Sequence, residues 1–327
     1  MIPSRRGLAA LAALAVAGPA RAQPQPWPDR PVRAVVPFGP GGAIDILARV
    51  MAPYFPAEAG GQPLVVDNRP GAGGTIGATL VAQAKPDGTT LLMAELGATA
   101  IAHTLYRGLP YDPRQSFTPI IFLADLPMVL VVRQNLPARD LPGLLAMLRD
   151  APAGISFGTV GTGHISQLTA VQLGQVAGPA ARLLQVTYRS GADMVAAVAK
   201  GECDFTVTSV SSATPFLQSG GVRAMAVSTA APIAALPGVP TMASTDPALV
   251  GTLWYGLVGP AGMDPALVGR INAVFNAILA KPEVRDTLAR QQGAEVIGGP
   301  PEAFAAHLRA ETARWAPVVQ AAGIRVE

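Results

Sequence analysis

Short apolar runs alternate with segments of helical period along most of the chain. "VRAVVPF" is followed by a helical run from Ile44, "PLVVDNR" by "TIGATLVAQA", and "TTLLMAE" by "GATAIAHTLY". Farther on, "ISFGTV" precedes "SQLTAVQLGQVAG", "LLQVTYR" precedes "GADMVAAVAKG", and "DFTVTSV" precedes "SSATPFLQSG". This rhythm predicts α/β layering, and near-continuous apolar strands predict mixed, largely parallel sheets flanked by helices on both faces. The C-terminal part is helical. Leu267, Ile271, Val274, Phe275 and Ile278 share one helical face behind an Asp264-Pro265 start, and a second helix stops at Gly293. A third helix aligns Phe304, Leu308 and Trp315.

Two longer apolar stretches break the rhythm, 119–133 and 251–262. Each is long enough to leave one sheet and enter another. They divide the chain into one domain of residues 23–125 plus 252–327 and a second of residues 126–251, with a cleft between them.

The first residues read differently. Arg5 and Arg6 precede an apolar run from Leu8 to Ala17, and Ala20-Arg21-Ala22 fits a cleavage site before Gln23. The run is short of the roughly 20 residues a membrane span needs. Residues 1–22 are therefore expected to be an export signal, of the general secretory type or, given the paired arginines, the twin-arginine type. This changes the charge argument. The formal +3 of the full chain equals the three arginines of the signal, which holds no acid, so the mature protein is formally neutral. A neutral chain with 14% charged residues has no electrostatic footprint for nucleic acid. The single Cys203 cannot form an internal disulfide, and a chain of this size can build a core without one.

Three glycine-rich loops join strands to helices: "PFGPGGAID" (37–45), "NRPGAGGTIGA" (68–78) and "GTVGTGHIS" (158–166). Glycine lets a backbone approach a ligand, and the free N–H groups of a helix start favour an anion. The alternative is three tight turns with no ligand role. None carries the Gly-Lys-Ser/Thr ending of a P-loop. Gly71, Gly73 and Gly77, with Glu95 after the next strand, only approximate a dinucleotide fingerprint, because "NRP" separates the strand from the glycines. No G-x-S-x-G or H-E-x-x-H occurs, and His103, His164 and His307 are scattered without metal-ligand spacing. These absences favour a binding protein over an enzyme and imply neither metal nor cofactor. His164, inside a glycine loop, is either a solvated loop residue or a ligand contact. Glu95 either faces the ligand or interacts with the turn that follows at Gly97.

Taken in order, "WPDRPVRAVVPFGPGGAIDILAR", "VVDNRPGAGGTIGA", "KPDGTTLLM", "LPYDPRQSFTPI", "LPGVPT", "WYGLVGPAG" and "KPEVRDTLARQQGAE" resemble the substrate-binding proteins of tripartite tricarboxylate transporters, the Bug family. The resemblance spans nearly the whole mature chain. It implies a two-domain, clamshell-like periplasmic binding fold joined by two crossing strands. The expected protein is monomeric, captures a small organic carboxylate and delivers it to membrane permease subunits. A sensing role alongside a kinase would use the same fold, and an exported enzyme is the remaining alternative.

In the family, the first and third glycine loops hold a carboxylate, largely through backbone N–H groups and water. Carried onto this sequence, the candidate site is Phe38, Pro40, Gly41, Gly42, Ala43 and Asp45, with Thr159, Gly161, Thr162, Gly163 and His164, and Glu95, Tyr188, Thr208 and Ser209 beside them. Several positions depart from the family pattern. Ala43 stands where Ser or Thr is common, Glu95 where a small hydroxyl residue is common, and Ala102-His103 where Asn-Pro is common. Thr208 and Ser209 replace an Asp-Asn pair, and "TYRSG" keeps Tyr188 but has Thr187 in place of proline.

Overall fold

The computed structural model describes residues 27–326, so the expected export signal and cleavage site lie outside the described residues. Two sheets form the frame. Strands β1 (Val32–Val36), β2 (Leu64–Asn68), β3 (Thr90–Ala94), β4 (Phe117–Leu126), β10 (Leu253–Pro260) and β11 (Glu295–Val296) make the first, in the order β11-β4-β10-β3-β1-β2. The second contains β5 (Met128–Arg133), β6 (Ile155–Thr159), β7 (Leu183–Thr187), β8 (Phe205–Ser209) and β9 (Val222–Val227), in the order β7-β6-β8-β5-β9.

The βα units supply the parallel pairs, β1 with β2 and β3, and β6 with β7 and β8. The strands on either side of the crossings pair antiparallel: β4 and β10 in the first sheet, β5 in the second. With β11 also antiparallel to β4, the first sheet has two parallel and three antiparallel pairs and the second has two of each, so both are mixed rather than largely parallel. The reason is connectivity: a chain that leaves a sheet and later returns beside its exit point must run the opposite way.

The crossings are compact. The chain leaves the first sheet at Leu126 and enters the second at Met128, with only Pro127 between. It returns past Ser228. The Ser228 N–H donates to the Met128 carbonyl (2.9 Å) and the Met128 N–H to Ser228 Oγ (3.1 Å), while the Gly251 N–H donates to the Ser228 carbonyl (2.9 Å). Both passages are thereby tied side by side.

The helices of eight or more residues are α1 (Ala43–Met51), α2 (Thr75–Ala82), α3 (Leu141–Asp150), α4 (Ile165–Ala177), α5 (Gly191–Lys200), α6 (Val210–Gln218), α7 (Pro265–Leu279), α8 (Pro282–Gln292) and α9 (Pro301–Ala321). Their boundaries follow local chemistry. Asp264 caps α7 by accepting from the Ala266 and Leu267 N–H groups (2.9 and 3.1 Å), and Gly293 ends α8 in the left-handed region. Helix α9 buries Phe304, Trp315 and Val319; Glu311 Oε2 accepts from the indoles of Trp254 (2.9 Å) and Trp315 (3.1 Å). Cys203 is buried. No helix among the described residues is long and apolar enough to cross a membrane.

Candidate functional site

The C-terminal ends of β1, β6, β7 and β8 and the helix starts that follow them surround a cavity of about 340 Å³. From the first sheet come the loop from Phe38 to Ile44 and two residues of β10, Leu253 and Tyr255. From the second come Met128, Val160, His164, residues 189–194, Thr208, Ser209 and Ser212. The volume is that of a small-molecule site.

The β1–α1 loop is fixed from behind. Asp45 is buried; its Oδ2 accepts from the Gly41 N–H (2.8 Å) and Arg49 Nε (2.9 Å), and its Oδ1 accepts from Asn68 Nδ2 (2.9 Å). Asn68 Nδ2 also donates to the Phe38 carbonyl (3.0 Å). Burial alone would raise the pKa of Asp45, but Arg49, the Gly41 N–H and Asn68 together hold it below the usual carboxylate range. Asp45 is therefore a charged latch inside the protein.

Four helices start at this cavity, and their caps differ. His164 caps α4, its Nδ1 accepting from the Ser166 N–H (3.2 Å). Ser190 caps α5 by accepting from the Asp193 N–H (3.2 Å), and Ser209 caps α6 by accepting from the Ser212 N–H (3.3 Å). Helix α1 has Gly42 at its cap and no side-chain acceptor. The N–H groups of Gly42, Ala43 and Ile44 find no acceptor among the described residues. All three residues line the cavity. Uncapped donors at a helix start favour a negative charge.

The family described as "Tripartite tricarboxylate transporter family receptor" matches residues 47–324. A protein from the tcbD–tcbE intergenic region of a Pseudomonas species is 36% identical over 321 residues, covering 97% of this chain and 94% of that relative. The chain belongs to this receptor family. Among solved structures, a Rhodopseudomonas palustris protein with adipate has a TM-score of 0.83 at 32% identity, covering 92% of this chain and all of that one. MatC from the same species, with bound malate, has a TM-score of 0.82 at 30% identity, covering 90% of this chain and all of that one. The receptor family consists of periplasmic solute-binding proteins rather than enzymes.

Of the residues singled out from the receptor's sequence, the cavity brings together Phe38, Pro40, Gly41, Gly42, Ala43, His164, Thr208 and Ser209. Asp45 lies behind the loop as its latch. Glu95 does not line the cavity. It is buried, with Oε2 accepting from the Gly97 N–H (2.7 Å) and Oε1 from the Ala98 N–H (2.6 Å). Burial pushes its pKa up to about 7 against the pull of those two donors. Of the two readings of Glu95, the geometry matches the interaction with the turn at Gly97, and Glu95 stands apart from the cavity-lining residues of the candidate site.

Thr159, Gly161, Thr162 and Gly163 shape the third loop without lining the cavity. Thr159 is buried, with its Oγ1 2.9 Å from Ser166 Oγ, and the Gly163 N–H donates to Gln167 Oε1 (2.8 Å). Tyr188 packs on Gly158 and its N–H donates to the Thr159 carbonyl (2.8 Å); burial and Cys203 push its hydroxyl up to about 12. Its neighbours, not Tyr188 itself, reach the cavity.

Those neighbours, Arg189, Ser190 and Asp193, are absent from the sequence-derived set. A signal for Ser190 and Asp193 exists. "SGAD" after a strand is a Ser-x-x-Asp capping pattern, and it marks a further helix start at the same sheet edge. His164 is half-buried, and burial pushes its pKa down to about 4. With Nδ1 accepting, the neutral ring carries its proton on Nε2.

Proposed function

We propose that this receptor captures a small organic carboxylate in the periplasm and hands it to the permease subunits of a tripartite tricarboxylate-type transporter. The observation that carries the reading is the uncapped start of α1. Of the four helix starts at the cavity, three carry a side-chain cap that accepts from one of their N–H groups, whereas the α1 start has none and, among the described residues, leaves the N–H groups of Gly42, Ala43 and Ile44 without an acceptor. Hydrogen bonds to a charged acceptor contribute about 1.5–3 kcal/mol each. Holding the anion by backbone dipoles, without a lysine or arginine in that loop, suits a carrier that must also let go. The adipate and malate held by the two similar structures are both carboxylates, in line with this reading.

The remaining parts follow from the same view. The two halves, 23–125 with 252–327 and 126–251, close on the ligand about the tied crossings at Met128, Ser228 and Gly251. The protein acts as a monomer without enzymatic turnover, and its export signal is removed near Ala22.

The test is Gly42→Val. Gly42 has φ −74° and ψ 162°, a conformation that valine adopts readily, and a Cβ there would meet only the Gly39 carbonyl oxygen, at 3.7 Å. The variant should fold with an unchanged melting temperature and lose at least tenfold in affinity for carboxylates by calorimetry, as a branched side chain crowds the α1 donors. Unchanged affinity in the folded variant would remove the α1 start from the site.

A further inference from the structure

Arg189 is the one arginine or lysine lining the cavity. It follows the last residues of β7, the edge strand of the second sheet, whereas the α1 donors belong to the first. Among the described residues its guanidinium makes neither a hydrogen bond nor an ion pair, unlike Arg133, which is held by Asp204 (2.8 Å). Its backbone is pinned on both sides. The Tyr188 N–H is bonded to Thr159, and Ser190 is the α5 cap. The side chain is exposed at the rim, where the cavity adjoins an outer groove.

The one acid in the lining, Asp193, does not neutralise it. Asp193 Oδ2 accepts from Ser190 Oγ (2.9 Å) in the first turn of α5, where the helix start favours a carboxylate for structural reasons. Much of the remaining lining is apolar: Phe38, Ile44, Met128, Met194 and Leu253. The cavity thus offers two separate sites for negative charge, one on each sheet, and an apolar wall that rewards methylene groups.

We propose that Arg189 is a specificity residue that receives a second acidic group of the ligand, so that this receptor selects flexible diacids over monoacids of equal length. The inference rests on the reading that the first carboxylate sits at the α1 start. A planar guanidinium matches a carboxylate with two parallel hydrogen bonds, and the reach of the arginine side chain accommodates more than one chain length.

The test is calorimetry on the mature protein and on Arg189→Gln, with the saturated diacids from succinate to suberate, the monoacids from butanoate to octanoate, and the monoacids' primary amides. The best diacid should bind the wild type about ten- to a hundredfold more tightly than its monoacid. Arg189→Gln should lower diacid affinity to the monoacid level. A diacid preference that survives in Arg189→Gln, or no diacid preference at any length, overturns the role of Arg189. Monoacids binding no better than their amides would instead overturn the α1 reading.

Discussion

The rings of Phe38 and His164 meet edge to face, with centroids 5.9 Å apart and planes at 82°. One ring belongs to the β1–α1 loop of the first sheet and the other caps α4 of the second, so the contact joins the two sides of the cavity. Edge-to-face pairs are worth about 0.5–1.5 kcal/mol beyond area burial. A double-mutant cycle with Phe38→Ala and His164→Ala, read by urea denaturation, should give a coupling of that size. His164→Ala should carry about 1 kcal/mol of additional cost, because it also removes the α4 cap. Strict additivity would show that the rings do not interact in solution.

His164 also gives the stability a pH dependence of defined sign. Its folded pKa, pushed down to about 4 by burial, lies below the ordinary 6.5. The unfolded chain therefore binds the proton more readily between those values. The stabilisation is fully present above pH 6.5 and is lost as pH falls toward 4. His164→Asn keeps a capping acceptor and removes the titration. The stability difference between wild type and His164→Asn should shift against the wild type across that window. A constant difference would mean that the ring is solvated.

Glu95 should behave in the opposite sense. Its folded pKa of about 7 lies above the ordinary 4.5, so the folded state holds its proton more tightly. The associated stability is present below pH 4.5 and lost as pH rises through 7. Glu95→Gln removes this dependence but places an amide NH₂ against the N–H of Gly97 or Ala98. It should cost about 1–3 kcal/mol at neutral pH, by thermal or urea denaturation, and leave relative ligand preferences unchanged. Altered preference among charged ligands in the folded variant would place Glu95 in the site after all.

Two glycines in similar conformations should respond differently. Gly41 (φ 81°) and Gly163 (φ 81°) both sit in the left-handed region, where alanine costs about 1–2 kcal/mol. A Cβ at Gly41 would meet nothing within 4 Å, whereas at Gly163 it would run into Leu105 Cδ1. Gly41→Ala should show only the conformational cost. Gly163→Ala should be the more destabilised in urea, since Leu105 must move. Equal losses would show that the third loop is free to shift away from Leu105.

Much of this architecture is legible in the sequence because it is local. The βα rhythm, the Asp264-Pro265 start of α7, the stop at Gly293 and the three glycine loops each depend on neighbours a few residues apart, and periodicity and cap chemistry report such neighbours directly. The passage from one sheet to the other around Pro127 is legible as well, as an apolar run too long for one strand. Which groups of the candidate site are already spent is not legible, because that depends on partners distant in sequence. The Gly41 N–H and the Asp45 carboxylate are spent on each other, and the second carboxylate oxygen is taken by Asn68, from the next strand. Glu95 and the N–H groups of Gly97 and Ala98 are close in sequence, but only the burial of that turn fixes the carboxylate there. Arg189 carries no motif, and it matters only because the fold brings the end of β7 to the cavity bounded by the start of α1. The sequence by itself determined the helix starts and the glycine loops, the first of which lines the cavity. The tertiary structure decided which donors remain unsatisfied there, because a hydrogen bond already made inside the protein is unavailable to a ligand.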